Sequence, residues 1–239
     1  MNTINIGYTH WFEKNDYSSD TNPALNDSWT ELVNYDLEKL DTWKTSSSNY
    51  TKCPAFVNYV DQFWVLKSAI DVTINWDDAK KKITSNLFLS SHDMLIKSHS
   101  GDFNPYTSHP IVAINNGIVF VADTDAWVDF MPPFNHIDPA WRLIPGSFNI
   151  YNWQRPAVPT FEMLANTVTI HRGQPLAYFR FRSNNPQDKF KLIKQERTAE
   201  LEKLVLSCSS LKFFQRNLSW KFVTGLIPNK LRPKKLVKK

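Results

Sequence analysis

The residues whose types and spacing could do chemistry are His136, Asp138 and His171. A His-x-Asp pair followed by a distant histidine is the facial triad that holds Fe(II) in non-haem oxygenases. Two nitrogens and a carboxylate take one face of the ion and leave the other positions open for oxygen and a 2-oxoacid. A site of this kind needs a cation for the co-substrate carboxylate. Arg180 and Arg182, 9 and 11 residues beyond His171, are the candidates to bind 2-oxoglutarate. A plainer reading fits the same residues. His136 lies in PPFNHIDPAW, a proline-bracketed stretch with the look of a surface loop, and its 35-residue separation from His171 is short for this chemistry. A loop histidine and a strand histidine, each solvated or hydrogen-bonded, satisfy the pattern without a metal.

Two further clusters allow a functional and a structural reading. His92, His99 and His109 fall within SHDMLIKSHSGDFNPYTSH beside Asp93 and Asp102, but the spacings match no common zinc pattern and no cysteine accompanies them. A polar connection between strands is favoured. Asp123, Asp125 and Asp129 alternate, so on one strand they would share a face. Three carboxylates there can hold a divalent cation or act as acid and base. The favoured reading is a solvated edge strand, which charge protects from pairing with another chain. There is no glycine-rich phosphate loop and no Gly-x-Ser-x-Gly elbow. Catalytic residues are therefore unassigned. The expectation is that no cofactor is bound, with Fe(II) and 2-oxoglutarate as the alternative.

Charge is unevenly spread. The chain has 239 residues and a net charge of +5. From Phe190 onward there are 13 Lys/Arg and 3 Glu, or +10, which leaves −5 on the rest. Lys230, Arg232, Lys234, Lys235, Lys238 and Lys239 form the densest cluster. Such a cluster attracts an acidic partner: nucleic acid, a membrane surface or an acidic protein. Phe213, Phe214, Trp220 and Phe222 precede it and can stack on bases, dip into an interface, or pack a helix onto the body. Cys53 and Cys208 are the only cysteines. They make neither a disulfide framework nor a zinc site and are expected to be reduced thiols in a cytoplasm. The first residues, MNTINIGYTHWFEKND, lack the basic and apolar regions of a secretory signal, and no stretch has the apolar length of a membrane-spanning helix.

The elements that must position these residues are mostly strands. Residues 1–27 are polar and predict an extended or partly ordered arm. Ser28 and Glu31 fit a capping box before a helix over 29–44. Pro54 can open a short helix through Asp61. WVLKSAIDVTINW (64–76), ITSNLFLS (83–90) and MLIKS (94–98) read as strands. IVAI-NNG-IVFVAD (111–123) reads as the clearest hairpin, since Asn115, Asn116 and Gly117 tolerate positive φ. WVDFM (127–131), SFNIYNW (147–153) and TFEML (160–164) are further strands. TVTIHRGQPLAYFRFR (167–182) reads as strand, tight connection, strand. Leu201, Leu204, Val205, Cys208 and Leu211 recur at helical spacing and predict an amphipathic helix around 188–214. The expected organisation is an arm (1–27), a β-rich domain with an N-terminal helix (28–187), and a helix with a basic tail (188–239). The fold class is α+β, mainly β: an antiparallel sandwich, jelly roll or double-stranded β-helix with flanking N- and C-terminal helices.

Two segments, CPAFVNYVDQFWVLKSAIDVTINW and TVTIHRGQPLAYFRF, carry a resemblance over about residues 50–182. With Cys53-Pro54, the Ile70 to Thr73 run and the Gly173-Gln174-Pro175 turn, the chain resembles a loosely defined set of uncharacterised proteins of tailed bacteriophages, notably T4-like cyanophages. The resemblance implies phage origin and a place in the host cytoplasm. It brings no activity. The expected function is binding, as a structural component or a host-interaction factor, and the alternative is an Fe(II)/2-oxoglutarate-dependent oxygenase.

Overall fold

The computed structural model describes residues 2–11, 36–40, 52–87, 95–97, 107–210 and 237. In chain order its strands are β1 (Thr3–His10), β2 (Glu38–Lys39), β3 (Trp64–Lys67), β4 (Val72–Asp77), β5 (Lys82–Ser85), β6 (Ile96–Lys97), β7 (Ile111–Ile114), β8 (Ile118–Ala122), β9 (Trp127–Met131), β10 (Trp141–Ile144), β11 (Gly146–Asn149), β12 (Thr160–Met163), β13 (Thr167–Ile170), β14 (Pro175–Arg182) and β15 (Lys189–Lys194). The helices among the described residues are α1 (Pro54–Val60) and α2 (Ala199–Ser210). The fold is mainly β, with several packed sheets and, among the described residues, no closed barrel. The sheet orders are β15-β1-β8, β10-β12-β7-β6, β11-β9-β14-β3-β2 and β13-β4-β5. Pairing is antiparallel except between β1 and β15. No described helix is long and apolar enough to cross a membrane.

Alternation along the strands explains the layering. On β14, Ala177, Phe179 and Phe181 face the main core, where the Phe179 ring meets Trp64, Phe120 and Phe130 at centroid distances of 6.1, 5.2 and 5.9 Å. Tyr178, on the opposite face, packs with Val60 of α1, Phe63 and Val65 in a second cluster. Strand β8 is buried on both faces: Ile118, Phe120 and Ala122 enter the main core, while Val119 and Val121 meet Leu201 and Val205 of α2. Aromatic side chains fill much of this described core, where offset and edge-on rings contribute about 0.5–1.5 kcal/mol per pair beyond burial.

Several local expectations change. The N-terminal arm is extended over β1, as expected, and that strand lies between β15 and β8. Most of the helix expected over 29–44 lies outside the described residues, and its described end, Glu38–Lys39, is a strand paired with β3. Residues 111–122 are not a hairpin: β7 pairs with β12 and β6, while β8 pairs with β1. Asn115–Gly117 therefore carries the chain from one sheet to another. Gly117 takes φ 65°, its N–H donates to Asn115 Oδ1 at 3.0 Å, and its carbonyl accepts from Trp11 N. The helix expected from 188 begins at Ala199, because Lys189–Lys194 is strand β15.

A second crossing matters more for the candidate residues. β3 and β14 pair in one sheet, and their continuations β4 and β13 pair in another. Both chains turn the same corner, at Ser68–Asp71 and at His171–Gln174. Ser68 N donates to Gln174 O and Gly173 N to Ser68 O, each at 2.8 Å, and Gly173 takes φ 78°. A register shift between Pro175 and Ala177 accompanies the bend. Corners of packed sheets are commonly built this way.

Candidate functional site

The corner brings His136 and Asp138 together. The loop after β9 places them over Gln174, whose Nε2 lies 3.0 Å from His136 Nε2 and donates to Asp138 Oδ2 at 3.2 Å. The other end of the same amide, Oε1, accepts from His171 N at 2.8 Å. Asp138 Oδ1 is held by Ala140 N at 2.8 Å. Gln174 thus braces the loop against the corner. The His171 ring lies elsewhere, with Nδ1 3.5 Å from Asp71 Oδ1, and both side chains are exposed. Among the described residues, no three His, Cys, Asp or Glu side chains converge as a metal-ligand group. Two of the three candidate ligands share one donor, and the third pairs with a different carboxylate.

Arg180 and Arg182 project from the outer face of β14 onto β9. Arg182 Nε lies 3.1 Å from Asp129 Oδ1, and Arg180 Nε lies 3.6 Å from Oδ2. Ser147 of β11 donates to Asp129 Oδ1 at 2.6 Å. The Arg182 guanidinium also sits 4.9 Å over the Trp127 ring. Both arginines serve a carboxylate that ties three adjacent strands. The three aspartates expected on one edge strand are separated accordingly: Asp129 is on β9, flanked by β11 and β14, while Asp123 and Asp125 precede that strand.

A fourth constellation escaped the sequence reading. Glu162 on β12 is fully buried, its side chain only 1% exposed. Arg142 stands directly opposite on β10 and donates from Nε to Glu162 Oε2 at 2.5 Å. Thr107 and His109, just before β7, reach Oε1, the histidine through Nδ1 at 3.2 Å. Burial pushes this carboxyl up, but the hydrogen bonds from Thr107 and Arg142, the guanidinium charge and the His109 contact together hold it below its ordinary value. The legible signal was a lone charge between Phe161 and Met163 in a strand, with an arginine on a neighbouring strand. Of the expected histidine cluster, His92 and His99 lie outside the described residues, as do Asp93 and Asp102.

The remaining arrangement joins the two oppositely charged parts of the chain. An open cleft of about 680 Å³ runs beside β1, lined in part by Asn5, Asp123, Asp125, Ser183, Asn184 and Asp188. Asp125 accepts from Asn149 and Asn184, and Asp188 from Ser183 and Asn185, so their partners among the described residues are neutral. Val237 is seated at this cleft. Its N–H lies 3.2 Å from both oxygens of Asp123, and its side chain, 2% exposed, packs with Val119, Val121, Leu201 and Val205. Lys230, Arg232, Lys234, Lys235, Lys238 and Lys239 lie outside the described residues, as do Phe213, Phe214, Trp220 and Phe222. No family model and no curated protein matches the chain.

Proposed function

We propose that this is a non-catalytic binding protein of phage type, acting as a structural or host-interaction component, which engages a phosphate-bearing acidic partner through its basic C-terminal segment. The observation that carries this is Val237. A residue buried on the body fixes where the segment meets the fold, with lysines on both sides of it in sequence. A tethered cation cluster of this kind gives salt-dependent affinity without a shaped pocket. The side chains that suggested catalysis support the same reading: Gln174 braces His136 and Asp138, and Asp129 engages Arg180 and Arg182. The test compares the full chain with a chain lacking residues 228–239 for binding to labelled single-stranded oligonucleotide and, separately, to phosphatidylserine vesicles. Six cations on a single strand predict a log–log salt slope of about −4. Equal binding by both chains to both probes refutes the reading.

A second reading keeps one specific observation, the convergence of His136 and Asp138 on a single donor. As an oxygenase, the chain would hold Fe(II) through these two and through a His171 that leaves Asp71, and 2-oxoglutarate through Arg180 or Arg182 released from Asp129. Melting with Mn(II), then with 2-oxoglutarate added, checks it. A metal-dependent rise in Tm that disappears in His136→Ala supports it, and no rise under either condition rejects it.

A further inference from the structure

We infer that the loop after β9 is a pre-organised docking finger: it offers Ile137, side chain and main chain together, to the peptide-binding cleft of an endoprotease with a small apolar pocket, and so inhibits that enzyme. The inference goes beyond the function proposed above and does not rest on the basic segment.

Three observations meet at this loop. The first is exposure. Ile137 is 88% exposed, against 58% for Leu206 and 39% for Tyr59, the other exposed large apolar side chains among the described residues. Its neighbours alternate: His136 and Asp138 are half-buried, while Pro139 faces solvent like Ile137. That is the in-and-out pattern of an extended chain. The second is the main chain. Among the described residues, neither the N–H nor the C=O of Ile137 has a hydrogen-bond partner. The third is rigidity. His136 N donates to Pro133 O at 3.0 Å, and Ala140 N to Asp138 Oδ1 at 2.8 Å. Gln174 Nε2 reaches the side chains on both sides of Ile137, at 3.0 and 3.2 Å. At the base of the loop the Phe134 ring sits on Tyr178 and Phe63, at centroid distances of 4.8 and 5.9 Å. Pro132, Pro133 and Pro139 fix their own φ angles.

An aliphatic side chain standing out between two inward-turned neighbours is convex, so its complement is a concave apolar pocket. A bilayer is a poor match: one such side chain beside Asn135 and Asp138 offers too little apolar area. The open N–H and C=O select a partner that binds extended backbone, as strand-adding clefts do. Endoproteases combine both features, reading one side chain in a pocket beside the bond they attack. Rigidity separates inhibitor from substrate. A flexible loop loses entropy on entering the cleft, whereas this one is ordered beforehand. If water cleaves the Ile137–Asp138 bond, the new carboxylate stays joined to His136 and the new amine belongs to Asp138. Both are held on Gln174, so the ends remain opposed and the bond re-forms with loss of water.

The experiment uses the full chain and reads turnover of chromogenic peptides by elastase, whose pocket is small and apolar, and by trypsin, whose pocket carries a carboxylate. The wild type is expected to inhibit elastase competitively and to leave trypsin unaffected. Ile137→Asp should raise the inhibition constant by at least roughly thirtyfold, the loss of one hot-spot side chain. Ile137→Lys should move inhibition from elastase to trypsin. Both changes fall on an exposed side chain, and thermal melts check that the fold is kept. Gln174→Ala leaves the finger's sequence intact but removes its brace; cleavage after Ile137, read by mass spectrometry, should quicken several-fold. No inhibition of elastase by the wild type, together with none of trypsin by Ile137→Lys, overturns the inference. Elastase inhibition that Ile137→Asp leaves unchanged overturns it as well, since another surface is then responsible. Rapid cleavage after Ile137 without inhibition makes the loop an ordinary substrate and overturns it. So does a concentration-dependent dimer that Ile137→Asp dissolves, since the finger then seats in a second copy.

Discussion

Replacing Glu162 by Gln isolates one charge in a nearly unchanged shape. In the wild type, one carboxylate accepts from Thr107, His109 and Arg142 while its side chain is 1% exposed. A net hydrogen bond to a charged group contributes about 1.5–3 kcal/mol. Arg142 and His109 are partly exposed and regain water when released, so the low end applies. The amide retains one carbonyl acceptor but must place its NH2 group against a donor. We expect a loss of about 2 kcal/mol at neutral pH, read by urea unfolding as a midpoint lowered by about 1 M at unchanged slope. The pH dependence makes the prediction sharper. Glu162 is held below its ordinary value in the fold, so the stabilisation is complete above that ordinary value. It is lost as pH falls through the lower, folded value. The gap between wild type and Glu162→Gln should therefore close in acid. Other carboxylates titrate in both proteins and cancel in the difference. A gap of equal size at neutral pH and near pH 3 would refute the argument that the charge, rather than packing, is what Glu162 contributes.

Tyr178 gives the alkaline counterpart. Burial pushes its phenol up to about 12, against a backbone hydrogen bond at Asn135. Its roughly 3 kcal/mol is present below pH ~10 and lost as pH rises toward 12; Tyr178→Phe should lack that limb in alkaline urea titrations. Gly7→Ala should destabilise by about 1–3 kcal/mol in thermal melts, because a Cβ there would meet Val121 at 2.8 Å and Gln195 at 2.9 Å. Gln174→Ala removes the brace between His136, Asp138 and His171, and amide exchange at residues 171–173 should quicken while the remote strands β10 and β12 keep their protection. Thiol labelling should be biphasic. Cys53 is exposed and its thiol is lowered by the Phe56 and Ala55 amides, whereas Cys208 is buried with its Sγ 3.7 Å from Gln154 Oε1 and should react only on opening. Equal labelling rates would contradict this.

The strand content was legible because alternation survives in the sequence: Ala177, Phe179 and Phe181 against Tyr178, Arg180 and Arg182 is a two-faced strand on inspection. Pairing partners were less so. Asn115-Asn116-Gly117 has hairpin chemistry, yet the same positive-φ turn equally turns a chain from one sheet into the next, and only tertiary contacts choose. β15, KFKLIK, alternates well but runs into a helical pattern that starts five residues later. The charge separation pointed to the tail as a candidate binding segment, though not to the acidic cleft beside Val237, since the aspartates that line it, Asp123, Asp125 and Asp188, come from separate turns. Glu162 was hidden for a similar reason: its partners come from a neighbouring strand, β10, and from the segment leading into β7, and sequence distance says nothing of register.

The parallel pairing of β1 with β15 bears on how the chain is made. Thr3 aligns with Lys189 and Tyr8 with Lys194, and β1's other neighbour begins at Ile118. β1 is therefore short of one partner until translation has passed Lys194. At about 5–20 residues per second that wait is roughly 10–40 s, and closing so long a loop is slow in its own right. Until then Ile4, Ile6 and Tyr8 sit on an open strand edge, the kind of surface on which nascent chains aggregate. Conditions that slow elongation or deplete chaperones should therefore lower recovery, by lengthening the time for which that edge stays open.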